Sequence, residues 1–228
     1  MKKIVINSLF CLAVAGFAGC EKDKDYKASF ETANPSKALL KINYASAYVA
    51  NPSVQLNIDD VRVSGLIVGR TPFPGGGYNT VGSNFPDYLA VTPGTRKVSV
   101  VIPKKNTNVD SIVLFSTQAD LIPNTSQTLH IMDTFTRTKS LLVKDDVGAT
   151  SPNKIRYRFV NLMPNANPLD LYFGTEKVAS AVPYNTQGVV FEMPTQISAA
   201  WTIREVGSAT VLATYSSANT VINERVYT

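Results

Sequence analysis

Leu40-Lys41-Ile42-Asn43-Tyr44 and Val54-Gln55-Leu56-Asn57-Ile58 carry an apolar residue at every second position, with polar residues between them. Successive side chains of a strand point to opposite faces, so a period of two reads as strands with one face on a core and the other toward water. Working outward, residues 88–91 and 97–102 flank Thr92-Pro93-Gly94-Thr95. Proline presets φ there and glycine accepts positive φ, which together read as the turn of a hairpin. Residues 112–115, 128–132 and 140–143 add further strands. No stretch of about 11 residues repeats apolar side chains at 3.6-residue spacing, so helix is limited to single turns. The chain is expected to be all-β.

The pattern occurs twice. Ile155, Tyr157 and Phe159 stand 115 positions after Leu40, Ile42 and Tyr44, and Leu169, Leu171 and Phe173 stand 115 after Val54, Leu56 and Ile58. Arg62-Val63 and Lys177-Val178 keep the same offset, which falls to 101 at Pro93 and Pro194 because residues 65–87 form a longer connection in the first unit. Recurrence at a fixed spacing reads as duplication of one structural unit. The expected organisation is residues 37–146, a linker at 147–152 rich in Gly, Ser, Thr and Pro, and residues 153–228.

In the second unit, Arg156-Tyr157-Arg158-Phe159-Val160-Asn161-Leu162-Met163-Pro164, then Leu169-Asp170-Leu171-Tyr172-Phe173-Gly174, Val182-Pro183-Tyr184 and Arg225-Val226-Tyr227-Thr228, resemble the stations of the domain of unknown function 4397. The likeness is good over 154–228 and weaker in the first unit, where Ala45-Ser46 replaces the Asn-Leu-Met-Pro element. The resemblance implies two tandem antiparallel β-sandwich domains of immunoglobulin-like type, exported on envelope lipoproteins, with no established activity and no cofactor. About 15 residues of the first unit continue beyond the position matching Thr228, so the second unit is expected to be C-terminally incomplete.

The N-terminus reads as an address. Lys2 and Lys3 precede a short apolar stretch, and Phe17-Ala18-Gly19-Cys20 resembles the lipobox of bacterial lipoproteins. The stretch is too short for a transmembrane helix, which takes about 20 apolar residues. Residues 1–19 are therefore expected to be a signal peptide and Cys20 the lipidated residue, beginning a charged tether at 20–36. Glu21, Asp23 and Asp25 resemble the acidic tag that sends Bacteroidota-type lipoproteins to the outer face of the outer membrane. The expected location is the outer membrane, lipid-anchored and facing the exterior.

Chemistry is sparse. The formal charge of +5 includes Lys2 and Lys3 and is scattered, so no nucleic-acid footprint forms. Cys11 lies in the signal, which leaves the mature chain no second cysteine for a disulfide. His130 is the only histidine and alternates outward between Leu129 and Ile131; it has too few companions for a zinc site or a catalytic triad. Asp59-Asp60 and Asp145-Asp146 read as turn aspartates closing strands. No catalytic or metal residue is assigned. The exceptional segment is the loop 65–87, whose Arg70, Phe73, Tyr78 and Phe85 form a candidate ligand loop among glycines and prolines; connections this long are usually functional or disordered. Capping of the core by those rings is the favoured alternative, and Trp201 reads as packing. The expected function is a non-enzymatic surface lipoprotein serving as a binding or spacer component, with an envelope protein or a glycan as partner. The alternatives are a glycan-binding accessory lipoprotein of a polysaccharide uptake system and, less favoured, a carboxylate-based glycosidase.

Overall fold

Alternation becomes sheets throughout. The computed structural model describes residues 36–46, 50–75, 87–104, 106–107, 109–195, 198–216 and 226–228, and among these the only helix is a single 3-10 turn, Phe135–Arg137. The expected strand segments fall within strands except at Val54, an isolated bridge, and Tyr88, which precedes its strand, so the described residues are all-β, with several separate sheets and no barrel among them. No helix among the described residues is long and apolar enough to cross a membrane.

The first half contains β1 (Ala38–Tyr44), β2 (Gln55–Ile58), β3 (Val61–Arg62), β4 (Thr71–Phe73), β5 (Leu89–Val91), β6 (Gly94–Pro103), β7 (Asp110–Leu121), β8 (Ser126–Met132) and β9 (Lys139–Lys144). One sheet runs β4-β1-β8-β9, with β5 also paired to β1; a second runs β3-β2-β6-β7. All pairings are antiparallel except that of β1 with β8, which is parallel from Leu39↔Ser126 to Tyr44↔Ile131. Leu40, Ile42, Leu129 and Ile131 from the first sheet and Leu56, Val98 and Val100 from the second fill one core, each no more than 1% exposed. Burying each such side chain contributes about 1.5–3 kcal/mol.

The expected hairpin at 92–95 is corrected here. β5 pairs with β1 and β6 with β2 and β7, so the turn carries the chain from one sheet to the other. The reason is that Leu89 and Val98 reach the same core from opposite sides. Arg96 fixes the crossing, donating to the carbonyls of Thr92 at 2.9 Å and Pro93 at 2.7 Å and to Asp59 at 3.1 Å.

The second half contains β10 (Lys154–Asn161), β11 (Leu169–Phe173), β12 (Glu176–Val182), β13 (Thr186–Pro194), β14 (Ala200–Glu205), β15 (Val211–Ser216) and β16 (Val226–Tyr227). Its sheets are β13-β10-β16 and β12-β11-β14-β15. The pairings around its first two strands resemble those of the first half: β10 lies between an antiparallel β13 and a parallel β16, as β1 lies between β4 and β8. Similarly, β11 lies between β12 and β14, as β2 lies between β3 and β6. The core is smaller and aromatic. Trp201 packs against Phe173 at 4.7 Å, Tyr157 at 5.0 Å and Phe191 at 6.4 Å between ring centroids, and Tyr157 stacks on Tyr227 at 5.3 Å. Among the described residues nothing corresponds to β9, and every residue of β15 is exposed.

Candidate functional site

The long loop departs from the second sheet and returns to the first. Ser64 Oγ accepts the Leu56 amide at 2.8 Å and donates to the Gly65 carbonyl at 2.7 Å, while Val54 and Ile67 exchange backbone hydrogen bonds at 2.8 Å. A Cβ at Gly69 would stand 2.9 Å from the Ser46 carbonyl and 2.9 Å from Asn51 Oδ1, so only glycine fits there without displacement. Arg70 has φ 66°, donates its amide to the Tyr44 carbonyl and leaves its side chain exposed. Phe73 turns the other way and packs against the core. The structure thus separates Arg70 from Phe73. Tyr78 and Phe85 lie outside the described residues, as do Cys20, Glu21, Asp23 and Asp25.

Beyond Phe73, the carbonyls of Pro74 and Gly75 accept Lys41 Nζ at 3.2 and 3.0 Å. Lys41 belongs to a polar layer on the face of the first sheet opposite the core, built from residues two apart on β1 and β8 and from the ends of β5 and β9. Lys41 Nζ stands 5.5 Å over the Tyr88 ring; Tyr88 Oη and Thr128 Oγ1 donate to Asp145 Oδ2 at 3.0 and 2.7 Å. Asn43 Nδ2 donates to His130 Nδ1 at 3.0 Å, which places the ring proton on Nε2, a buried atom with no hydrogen-bond partner among the described residues.

Burial sets the protonation of this layer. It pushes Lys41 below the usual lysine range against the charges of Asp87 and Asp145. It pushes Asp145 up, opposed by the hydrogen bonds from Thr128 and Tyr88 and the charges of Arg158 and Lys41. Tyr88 is raised by burial and then by Asp145, and His130 is lowered to about 4 by burial. Perturbed groups mark functional candidates. Here, however, Lys41, Tyr88, Thr128 and Asp145 are already hydrogen-bonded to one another or to the loop backbone, an arrangement suited to holding the loop on the sheet. Alternation alone had placed Lys41, Asn43 and His130 toward water; the outward placement of His130 relative to the core is right, but it is 5% exposed. A readable signal was the extra loop length itself, because added chain has to lie over something.

Both aspartate pairs have defined work. Asp59 and Asp60 take φ 50° and 62° between β2 and β3, as turn aspartates can, and pair with Arg96 and Lys97. Asp145 joins the polar layer, and Asp146 pairs with Arg156 at 3.0 Å. No group of three metal-ligating side chains occurs among the described residues.

The residues that carried the sequence resemblance act on backbone. Asn161, 1% exposed, donates to the Val182 carbonyl at 2.9 Å and accepts the Met163 amide at 3.0 Å. Ser46, at the matching position of the first half, donates to the Asp133 carbonyl at 2.8 Å. Buried Asp170 accepts the Ala181 amide at 2.8 Å, Ser180 Oγ at 3.3 Å and Lys177 Nζ; burial alone would raise its pKa, but these partners together hold it below the usual carboxylate range. Tyr184 connects the halves, its hydroxyl 3.4 Å from Asp133 Oδ2 and its ring 5.3 Å from Lys139 Nζ.

Sheets of mostly antiparallel strands, with buried polar side chains fastening loops and turns, define an all-β protein. Residues 41–172, more than half of the chain, match the model of the Domain of unknown function (DUF4397), and the chain belongs to that family. The match begins in β1 and ends in β11, so it takes in nearly all of the first half, where the sequence resemblance is the weaker, and only the opening strands of the second. No curated protein matches the chain.

Proposed function

We propose that the protein is a non-enzymatic, lipid-anchored protein of the outer membrane, displayed on the cell exterior, whose halves are two tandem immunoglobulin-like β-sandwich domains serving as a binding or spacer component. The observation that carries this reading is the use made of a buried cluster of ionisable groups. Lys41, Tyr88 and Asp145 hold the loop and sheet together, so the fold directs their charged chemistry inward to its own architecture. The matching strand pairings of 38–132 and 154–227 support tandem domains, and the residues before and after Cys20 support the anchor.

The anchor is tested at its one attachment point. Cys20→Ala should move the protein from the membrane fraction to the soluble fraction, because the apolar stretch before it is too short to span a bilayer. Full retention with normal signal cleavage would refute the lipid anchor. Neutralising Glu21, Asp23 and Asp25 should leave the protein membrane-bound but shielded from external protease; unchanged accessibility would refute their sorting role.

A further inference from the structure

The outward faces of β11 and β14 carry a different chemistry from those of β2 and β6. Across β2 and β6 the outward pairs are Asn57↔Ser99 and Gln55↔Val101, uncharged and each no more than 4% exposed. Across β11 and β14 the outward pairs are Tyr172↔Thr202 and Asp170↔Arg204, and of these Tyr172, Thr202 and Arg204 are half-buried. An arginine thus stands on a partly open sheet face where the first half buries a valine.

The guanidinium is positioned but not neutralised. Arg204 Cζ lies 4.4 Å from the centre of the Tyr172 ring, and Lys177 Nζ lies 5.6 Å from it. Asp170, the cross-strand neighbour of Arg204, is engaged by Lys177, Ser180 and the Ala181 amide. Among the described residues Arg204 has no carboxylate partner, and its Nε lies buried without an acceptor. A guanidinium held against a ring loses little freedom when it binds, and its fork of N–H groups matches the two oxygens of a carboxylate. A stacked, half-desolvated arginine lacking a counter-charge is therefore prepared for an anion.

β11 and β14 are each paired on both edges, so this face offers side chains only. An extended peptide laid on it would find no backbone partner for its own amides and carbonyls. A polysaccharide has no such row of groups to pair and needs only side-chain donors. We propose that the outer face of β11 and β14 binds an acidic polysaccharide, with the carboxylate of a uronate unit on the Arg204 guanidinium. The inference rests on the binding reading above and names its ligand class, while the anchor test at Cys20 is independent of it.

The probe is polygalacturonate, titrated calorimetrically into the purified chain at low salt, with neutral dextran and polyglutamate for comparison. Saturable binding of polygalacturonate is expected, and none of dextran. Arg204→Gln should weaken binding at least tenfold. Lys104→Gln, which removes one exposed charge from the first half, should leave it unchanged. Trp201 fluorescence checks that each variant is folded. Absence of polygalacturonate binding to the folded chain, or equal binding by Arg204→Gln, would overturn the proposal; the second result would leave the broader binding reading standing. Equal loss in Lys104→Gln would overturn it too, since scattered charge would then be responsible. So would tighter binding of polyglutamate at Arg204, since the occupant would then be a peptide.

Discussion

Phe173→Ala is expected to destabilise the second half by about 3–5 kcal/mol, the usual cost of removing a buried aromatic side chain and leaving a cavity. Phe173 is 6% exposed and its ring lies 4.7 Å from that of Trp201, which packs against the buried cluster of Leu171, Ala179 and Val182. Trp201 is the only tryptophan of the chain, so its fluorescence reports this half and survives the substitution. If the halves are separate folding units, the tryptophan transition should move to much lower denaturant while the remaining loss of strand circular dichroism stays in place. A single transition that moves as a whole for both probes would show one cooperative unit and would refute the two-domain proposal.

Acid should act on the other half, through His130. An unfolded chain protonates this histidine near 6.5, whereas burial in the native state holds it to about 4. Between those values the unfolded state binds the extra proton, so stability is full above pH 6.5 and falls by about 3 kcal/mol as pH drops to 4. Asp145 opposes this in part, because its raised pKa means that protonation relieves a buried carboxylate. Lys41 remains charged and Tyr88 neutral across the window. His130→Gln should flatten the profile, so the difference in unfolding free energy between the two proteins should change by about 3 kcal/mol from pH 7 to pH 4. Parallel profiles would mean that His130 does not carry the acid sensitivity.

The strands of this protein were legible because the apolar residues of β1 and β2 obey the period of two that burial on one face imposes. The matching strand pairings of the two halves share that period, since a 115-residue offset preserves inward positions while their neighbours change. Assignment of strands to sheets was not legible, because Leu89 and Val98 alternate identically whether they share a sheet or face each other across a core. The polar layer was hidden by the same degeneracy: Lys41 and His130 occupy outward positions of their strands, and only the fold reveals that this face is covered. Arg70 and Phe73 were grouped by proximity in sequence, yet positive φ at Arg70 and pairing of β4 with β1 send their side chains to different surroundings.

The register of the first sheet also fixes how far this half can extend the protein. β1 begins beside the start of β8, with Leu39 opposite Ser126, and β9 ends there too, with Lys144 opposite Gln127. The chain therefore enters and leaves the first half at the same end of one sheet, two strand spacings or about 10 Å apart. More than a hundred residues of folded protein add almost nothing to reach along the polypeptide; they hang beside its path as a pendant. A tug on the two ends would peel the flanking strands away from β8 starting at that shared end, so the load would fall on a few hydrogen bonds at a time rather than on the whole ladder.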